Sequence, residues 1–398
     1  MTSPRPVLTT PVLLLMAAAT GLCVGGNYFN QPLLDSIAVA LGTSHSAAAA
    51  TVTVAQVSYG LGLLFLVPLG DMFDKRRLTV GLMLAAAAGQ ALSGFAPTIA
   101  VLAVGTAIAG LFSVAAQVLV PFAATLAEPE RSGQAVGTVM SGLVLGILLA
   151  RSVAGLLAGL GGWATVYRVS AAVMVLVALA LWRALPTSRP AERIGYGTTL
   201  RSLGTLVRTQ PRLRTRSVLG ALSFASVSAL FSTMAFLLSG EPYGFDEVQI
   251  GLVGLAGVAG AVMANLTGRL ADRGLAQLAS GAGAAVLVVS WAALAAGAHS
   301  LAWFLIGMVA VDLALQAVHI SNQSIVYALA PAARSRINAV YMTTYFIGAA
   351  AGSALGALAW TSAGWTGVCL FGVAAAAATA LVWLVDLRVA RRAVAVPA

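Results

Sequence analysis

The stretch Gly70-Asp71-Met72-Phe73-Asp74-Lys75-Arg76-Arg77-Leu78 is a short charged segment between two long apolar runs. The runs cover residues 47–69 and 79–95, and each is close to the roughly 20 apolar residues that cross the ~30 Å hydrocarbon core of a bilayer as a helix. A second segment, Gly268-Arg269-Leu270-Ala271-Asp272-Arg273-Gly274, separates two later apolar runs in the same way. Its first glycine follows Gly70 by 198 residues, about half of the 398-residue chain. This spacing predicts that the second half of the protein repeats the first.

The composition excludes a soluble domain of this length, because 60% of the residues are hydrophobic and only 9% are charged. In a soluble protein the net charge of +10 would suggest a nucleic-acid partner. In a membrane protein the same charge indicates which loops face the cytoplasm, so no nucleic acid is expected. No nucleophile elbow, His/Cys metal spacing or phosphate-binding loop is present in the sequence. We therefore expect neither enzyme activity nor a cofactor.

The apolar runs predict an all-α polytopic membrane protein with twelve transmembrane helices in two pseudo-symmetric six-helix bundles. The predicted spans are 11–31, 47–69, 79–96, 98–127, 133–160, 162–185, 217–240, 248–267, 276–297, 301–328, 337–360 and 365–387. The predicted domains are residues 1–185 and 217–398, joined by a basic linker, 186–216, in which prolines break any continuous helix. A regulatory site in this linker is one interpretation. We favour the other, a segment that lies against anionic headgroups.

Glycines recur at four-residue spacing in two corresponding spans. They are Gly142, Gly146, Gly155 and Gly159 in span five, and Gly348, Gly352 and Gly356 in span eleven. Such spacing allows transmembrane helices to approach closely, so we expect these glycines to serve mainly in packing.

Basic residues predict the orientation in the membrane. With the N-terminus in the cytoplasm, 20 of the 22 Lys and Arg residues fall on the cytoplasmic side and none falls in an outer loop. An excess of Lys and Arg in cytoplasmic loops sets the topology of membrane proteins. The sequence thus predicts a multi-pass protein of the inner membrane with both termini in the cytoplasm.

The two bundles, the basic linker and the repeated Gly-x-x-x-Asp-base segments resemble the major facilitator superfamily over essentially the whole chain. The phrases Asn27-Tyr28-Phe29-Asn30-Gln31-Pro32-Leu33-Leu34 and Arg334-Ser335-Arg336-Ile337-Asn338-Ala339-Val340-Tyr341-Met342 resemble its bacterial sugar-efflux or drug-efflux branch, which includes drug:proton antiporters. The resemblance implies transport by alternating access and points spans one, four, seven and ten towards a central cavity.

In the family, the loop after span two is a cytoplasmic latch with the pattern Gly-x-x-x-Asp-Arg-x-Gly-Arg-Arg. The resemblance assigns this role here to Gly70, Asp74, Lys75, Arg76 and Arg77, although the internal x-Gly pair is missing. Arg131 in the next cytoplasmic loop is a candidate partner for Asp71 or Asp74, and Asp272 with Arg273 forms the weaker second copy. The alternative interpretation is a solvated turn that only satisfies the charge rule.

Two departures from the antiporter pattern put drug efflux in doubt. Thr106 stands in span four where drug–proton antiporters carry a buried Arg. Their Gly-Pro-x-x-Gly-Gly motif in span five reads Gly146-Ile147-Leu148-Leu149-Ala150-Arg151 here, without the Pro and the last two glycines.

Few ionisable residues lie within the predicted spans, and such residues are candidates for function because a charge in the membrane is costly. Asp312 and His319 lie in span ten, and offsets of four and seven residues place Gln316 and His319 on the same helix face as Asp312. We predict that Asp312 and His319 carry proton coupling. A helix–helix hydrogen-bond stripe without a transport role is the alternative.

Arg151 in span five has three possible partners: Asp312, Asp35 near the outer end of span one, or an anionic group of the solute. Arg168 in span six is expected to extend to the interface, as long basic side chains do. Polar and aromatic residues supply the other substrate-binding candidates, which with Arg151 and Gln316 are Asn27, Tyr28, Gln31, Gln117, Tyr341 and Tyr345. Mostly uncharged candidates suit a neutral or amphipathic solute.

Together these features predict a monomeric secondary active transporter, most simply a proton-coupled exporter of small organic molecules. Its expected partners are a small-molecule substrate, protons and the lipid bilayer. One alternative is uptake or facilitated diffusion of a sugar or an organic acid. An alternative of another class is a membrane receptor or scaffold without transport.

Overall fold

The computed structural model describes residues 8–128, 132–188, 195–257, 267, 270, 273–329 and 334–394, and its regular structure is helical. The helices of the first half are α1 (Thr10–Gly25), α2 (Leu34–Ala40), α3 (His45–Phe65), α4 (Lys75–Gly94), α5 (Ile99–Phe112), α6 (Ala115–Leu126), α7 (Ser132–Gly161) and α8 (Trp163–Ala184). A linker helix, α9 (Tyr196–Thr209), precedes α10 (Pro211–Ser239), α11 (Glu247–Val253), α12 (Ala276–Ala296), α13 (Leu301–Leu329) and α14 (Arg334–Val394). The backbone of α14 is non-helical at Ala363 and Gly364. This break divides α14 into a first arm, 334–362, and a second arm, 365–394.

Nine helices in the described part of the chain are long and apolar enough to cross a membrane. One of the nine includes both arms of α14, while α4 is less apolar, and part of the eighth predicted span lies outside the described residues. The twelve-helix, two-bundle fold predicted from the sequence is confirmed. The domain boundaries at 185 and 216 stay a prediction.

The first span is longer than predicted and is not one continuous helix. α1 ends at Gly25, short 3₁₀ turns follow over Gly26–Tyr28 and Gln31–Leu33, and α2 then extends the span to Ala40. Pro32 lies within the second turn, and proline has no backbone N–H to donate to a helix. The linker contains a helix of its own in its described part. α9 fits between Pro190 and Pro211, and Pro211 begins α10 at the first helical position, where proline is tolerated.

The glycines with four-residue spacing bring equivalent helix pairs of the two bundles into backbone contact. A Cβ on Gly142 would overlap the carbonyl oxygen of Ala17 in α1. In the second bundle, a Cβ on Gly348 would overlap the carbonyl oxygen of Ala221 in α10. Gly155 serves a different contact, because a Cβ there would overlap the carbonyl oxygen of Glu247 in the opposite bundle. Close packing, as predicted, therefore occurs both within a bundle and between the bundles.

The two ends of the molecule differ in how the bundles meet. We call the end that carries residues 70–78 the hinge end and the opposite end the far end. At the far end the bundles are in direct contact: Ser152 Oγ donates to the carbonyl oxygen of Gly251 at 2.9 Å, and the rings of His45 and Phe236 stack with centroids 4.5 Å apart. Towards the hinge end, a cavity of about 240 Å³ lies between the bundles. The central space is thus closed at the far end.

Candidate functional site

Arg151 is the centre of a cluster that joins the two bundles. Its Nε donates a hydrogen bond of 2.7 Å to Gln31 Oε1, and its guanidinium carbon lies 3.7 Å from the ring centroid of Phe231 and 5.4 Å from that of Tyr28. Only 5% of Arg151 is exposed. Arg151 is brought into this position by α7, while the 3₁₀ part of the first span supplies Tyr28 and Gln31. An arginine over two aromatic faces gains cation–π attraction that partly offsets its loss of water.

Asp312 approaches this cluster from the opposite bundle. It lies on α13, interacts electrostatically with Arg151 and is half-buried. Its Oδ2 is buried without a hydrogen-bond partner. Of the three partners considered for Arg151, Asp312 is thus nearby, whereas Asp35 pairs with His45 across 3.1 Å. Gln31, a substrate-binding candidate, is the group that Arg151 contacts directly.

His319 belongs to an aromatic wall further along α13. Its Nδ1 lies 3.0 Å from the hydroxyl of Tyr341, and its ring centroid lies 4.5 Å from that of Tyr345. Tyr345 in turn stacks on Phe224 with centroids 4.2 Å apart and lies within electrostatic range of Tyr28 and Asp312. The predicted coupling residues are therefore linked by the tyrosines of α14.

The first bundle meets this wall through Tyr59 of α3. The ring of Tyr59 lies 4.6 Å from that of Phe346, and Gln117 donates a hydrogen bond of 3.3 Å to its hydroxyl. Gln117 lines the cavity at the hinge end, together with Asn338 and Met342 of the second bundle. Aromatic rings and amides together suit a solute with apolar and polar parts.

Two substrate-binding candidates stand apart from these contacts. Gln316 is half-buried on α13, one turn after Asp312. Asn27 is 4% exposed and lines a small cavity inside the first bundle. That second cavity also includes Thr106, the residue that replaces the arginine of the antiporter pattern.

Residues 70–78, which we call the hinge segment, are bonded to the end of α8 and to the start of the linker. Asp74 caps α4 by accepting from the backbone N–H of Arg77 at 2.8 Å, and its other oxygen accepts from the N–H of Ser188 at 2.6 Å. Arg76 donates to the carbonyl oxygen of Leu185 at 3.3 Å and lies over the ring of Trp182. Among the described residues, these contacts join the segment to α8 and to the linker, and none of them reaches the second bundle.

Two of the remaining latch residues join these bonds only through their backbone: the N–H of Arg77 donates to Asp74, and the N–H of Lys75 donates to Ser188 Oγ at 2.8 Å. Gly70 packs near Val118 and Lys75 lies 5.8 Å from the ring of Phe122, while Arg77 and Arg273 are exposed. Arg131, Asp272 and the side chain of Asp71 lie outside the described residues. The pairing predicted for Arg131 with Asp71 or Asp74 thus stays a prediction.

Sequence reasoning missed a buried charge network at the hinge end of the second bundle. Arg216 of α10 and Asp386 of the second arm are both 0% exposed, and Arg216 NH2 lies 2.5 Å from Asp386 Oδ2. Thr215 also donates to Asp386 at 2.6 Å, and Arg216 donates to Asn322 of α13 at 3.0 Å. A signal was available, because Asp386 is the only acidic residue after Asp312 in the sequence.

Comparisons with known proteins agree with this architecture. The model of the Major Facilitator Superfamily matches residues 16–353. The putative uncharacterized transporter YgaY of Escherichia coli K12 is 49% identical over 383 residues, which cover 96% of this chain and 97% of the relative.

Two Streptomyces relatives are more distant. A probable transporter of Streptomyces coelicolor is 35% identical over a region that covers 89% of this chain and 83% of the relative. A chloramphenicol resistance protein of Streptomyces lividans is 27% identical over a region that covers 71% of this chain and 72% of the relative.

A solved structure matches at the level of the fold. It is a bacterial homologue of the human lysosomal transporter Spinster in an inward-facing and occupied conformation, with a TM-score of 0.77, 15% identity and 98% coverage of both chains. From the family match and the similarity to YgaY along nearly the whole chain, the protein belongs to the Major Facilitator Superfamily and is a membrane transporter.

Proposed function

We propose that the protein exports small organic molecules through the inner membrane in exchange for protons, by alternating access. The observation that carries this proposal is the meeting of Arg151 and Asp312 at the interface of the bundles, where one oxygen of Asp312 has no hydrogen-bond partner. An ionised Asp312 attracts Arg151 of the opposite bundle, and this attraction favours the form that is closed at the far end.

A proton on Asp312 removes this attraction, and a substrate group that binds Arg151 or Asp312 weakens it. Either ligand therefore favours opening of the far end, since a ligand shifts an equilibrium only through its different affinities for the two states. Because both act on the same pair of groups, proton and substrate compete. Competition for one site is what exchange requires.

The hinge end is the cytoplasmic end in this proposal. It carries the basic residues of the hinge segment and of the linker, and Lys and Arg mark cytoplasmic loops. Both termini are then in the cytoplasm, and the cavity beside Gln117 opens to cytoplasmic substrate. We further propose that the transporter works as a monomer, with all its binding groups in one chain.

Export of a drug-like molecule is favoured by the similarity to the chloramphenicol resistance protein and by the chemistry of the site. The wall of His319, Tyr341 and Tyr345 offers aromatic faces, while Gln31, Gln117 and Gln316 offer neutral hydrogen-bonding groups. Such a lining suits an amphipathic molecule with a ring system and few formal charges.

The test uses the full-length protein in proteoliposomes that enclose a pH-sensitive dye. A thermal-shift screen of metabolites and drugs, with chloramphenicol included, selects the substrate. Addition of that substrate should move protons through the wild type, whereas Asp312→Asn should still exchange substrate for substrate without moving protons. Asp246→Asn, the same change in a loop at the far end, is the control and should behave as the wild type.

Three outcomes would contradict the proposal. Substrate flux without proton movement in the wild type would indicate facilitated diffusion or uptake. An absence of flux for every compound that binds would indicate a receptor or scaffold. Normal proton coupling in Asp312→Asn would show that Asp312 is structural.

A further inference from the structure

A second, smaller cavity lies inside the first bundle, beside the 3₁₀ part of the first span. Its volume is about 10 Å³, which is the space of one water-sized particle. Its lining includes Asn30 from the turn between α1 and α2, Gln90 and Ser93 from α4, Thr106 from α5 and Tyr167 from α8. Polar side chains from four spans of one bundle therefore converge on one small space.

The polar atoms that line this cavity lack partners. The atoms Asn30 Oδ1, Gln90 Oε1, Ser93 Oγ, Thr106 Oγ1 and Tyr167 OH are all buried without a hydrogen bond. The exposure of these five side chains is 8% or less. Buried polar groups are almost always paired with protein, water or an ion. Five unpaired oxygens around one particle-sized space indicate that the space is occupied.

The backbone beside the cavity belongs to the 3₁₀ part of the first span. α1 stops at Gly25, and Asn27 and Asn30 lie in or beside the 3₁₀ turns before α2. Gly26 matters here, because a Cβ there would lie 2.7 Å from Gln90 Nε2. The absence of a side chain at Gly26 allows Gln90 to reach the cavity.

The chemistry of these oxygens limits which metal ions fit the cavity. All five are neutral amide or hydroxyl oxygens, and no group of three or more His, Cys, Asp or Glu side chains able to hold a metal occurs among the described residues. Transition metals prefer nitrogen and sulfur ligands, and Mg²⁺ usually retains several waters, for which this cavity has no room. Arg168 beside Tyr167 is bonded to the carbonyl oxygen of Gly94 and lies over Phe95. The guanidinium of Arg168 is therefore bonded to groups that do not line the cavity.

We propose that this cavity binds one dehydrated Na⁺ ion. The ion joins the 3₁₀ part of the first span to α4, α5 and α8. The same part of the span carries Tyr28 and Gln31 to Arg151, so the ion also fixes the position of the Arg151 cluster. This inference concerns ion binding and does not depend on the direction or the coupling of transport.

The test measures the thermal unfolding of the full-length protein in detergent, with NaCl replaced stepwise by choline chloride at constant total salt. The unfolding temperature of the wild type should rise with Na⁺ and then saturate, because a ligand of the folded state stabilises it by mass action. Thr106→Val and Ser93→Ala should each raise the half-saturating Na⁺ concentration by about tenfold, the effect of losing one ligand.

Matched controls make the same chemical changes away from the cavity. Thr379 is fully buried and bonds to the carbonyl oxygen of Ala375, and Ser290 is 3% exposed and bonds to that of Leu287. Thr379→Val and Ser290→Ala should keep the Na⁺ dependence of the wild type.

Equal unfolding temperatures in Na⁺ and choline at every concentration would overturn the proposal and would indicate that water occupies the cavity. An unchanged Na⁺ dependence in both cavity variants would also overturn it. If those variants do not fold, binding of radioactive ²²Na⁺ to the wild type decides: saturation at about one ion per chain supports the site, and no saturable binding refutes it.

Discussion

Asp386→Asn provides a quantitative test of the buried network at the hinge end. Asp386 is fully buried and accepts from both Arg216 and Thr215. The asparagine has nearly the same shape but leaves Arg216 as an uncompensated buried charge. Removal of one partner of a buried ion pair costs about 3–5 kcal/mol. We expect about 3 kcal/mol here, the lower end of that range, because Arg216 keeps its bonds to Ser280 and Asn322.

The assay heats the detergent-purified protein and follows the fraction that stays monodisperse. For 150–250 residues, the size of one bundle, each kcal/mol shifts the unfolding temperature by about 2–4 °C. Asp386→Asn should therefore lower this temperature by about 6–12 °C. Arg388→Gln removes an exposed charge two residues away and should change stability by less than about 0.5 kcal/mol.

The double variant Arg216→Met with Asp386→Leu completes the test. It removes both charges and replaces them with apolar side chains, a change that is often neutral or stabilising by about 1–4 kcal/mol. The double variant should therefore unfold at a higher temperature than Asp386→Asn. If Asp386→Asn unfolds as the wild type does, or if the double variant is the least stable, the burial argument is wrong.

Three other predictions concern the contact at the far end, the hinge segment and the topology. Gly155→Val should place a side chain against Glu247 and hold the far end open. Thr53→Cys should then react several-fold faster with an impermeant maleimide. Gly137→Val, on the same helix with open space around it, should not change this rate. Asp74→Asn should reduce transport with little loss of folded protein, because asparagine also caps helices but lacks the charge that binds Ser188. Asp246→Asn at the cap of α11 should leave transport unchanged. Equal losses of transport in the two variants would refute a special role for Asp74. Gly204→Cys on α9 should react with an impermeant maleimide only after cells are permeabilised. Labelling in intact cells would contradict the predicted topology.

Local patterns predicted the parts of the fold that depend on short stretches of sequence. Long apolar runs identified the spans, and glycines four residues apart, such as Gly348 and Gly352, identified helix faces in backbone contact. The offsets from Asp312 to His319 placed both on one face of α13. In each case the signal lies within one helix.

The missed features depend on contacts between distant segments. Arg216 and Asp386 are 170 residues apart in the chain, and each lies near the end of a span, where a charge is usually solvated. The contact of Gln31 with Arg151 likewise joins positions that are 120 residues apart. The pairing of Asp35 with His45 across a short loop could have been expected from their separation alone.

The connections at the far end have a practical consequence for reagents. Gly162 alone separates α7 from α8, and Ala363 with Gly364 is the whole turn between the arms of α14. An antibody or a protease that approaches this face meets little polypeptide beyond the loop between α10 and α11. Affinity tags, fluorescent proteins and protease sites therefore belong at the hinge end, where the linker before α9 offers a longer connection. A binding protein raised against the far end would have to recognise the ends of the helices themselves.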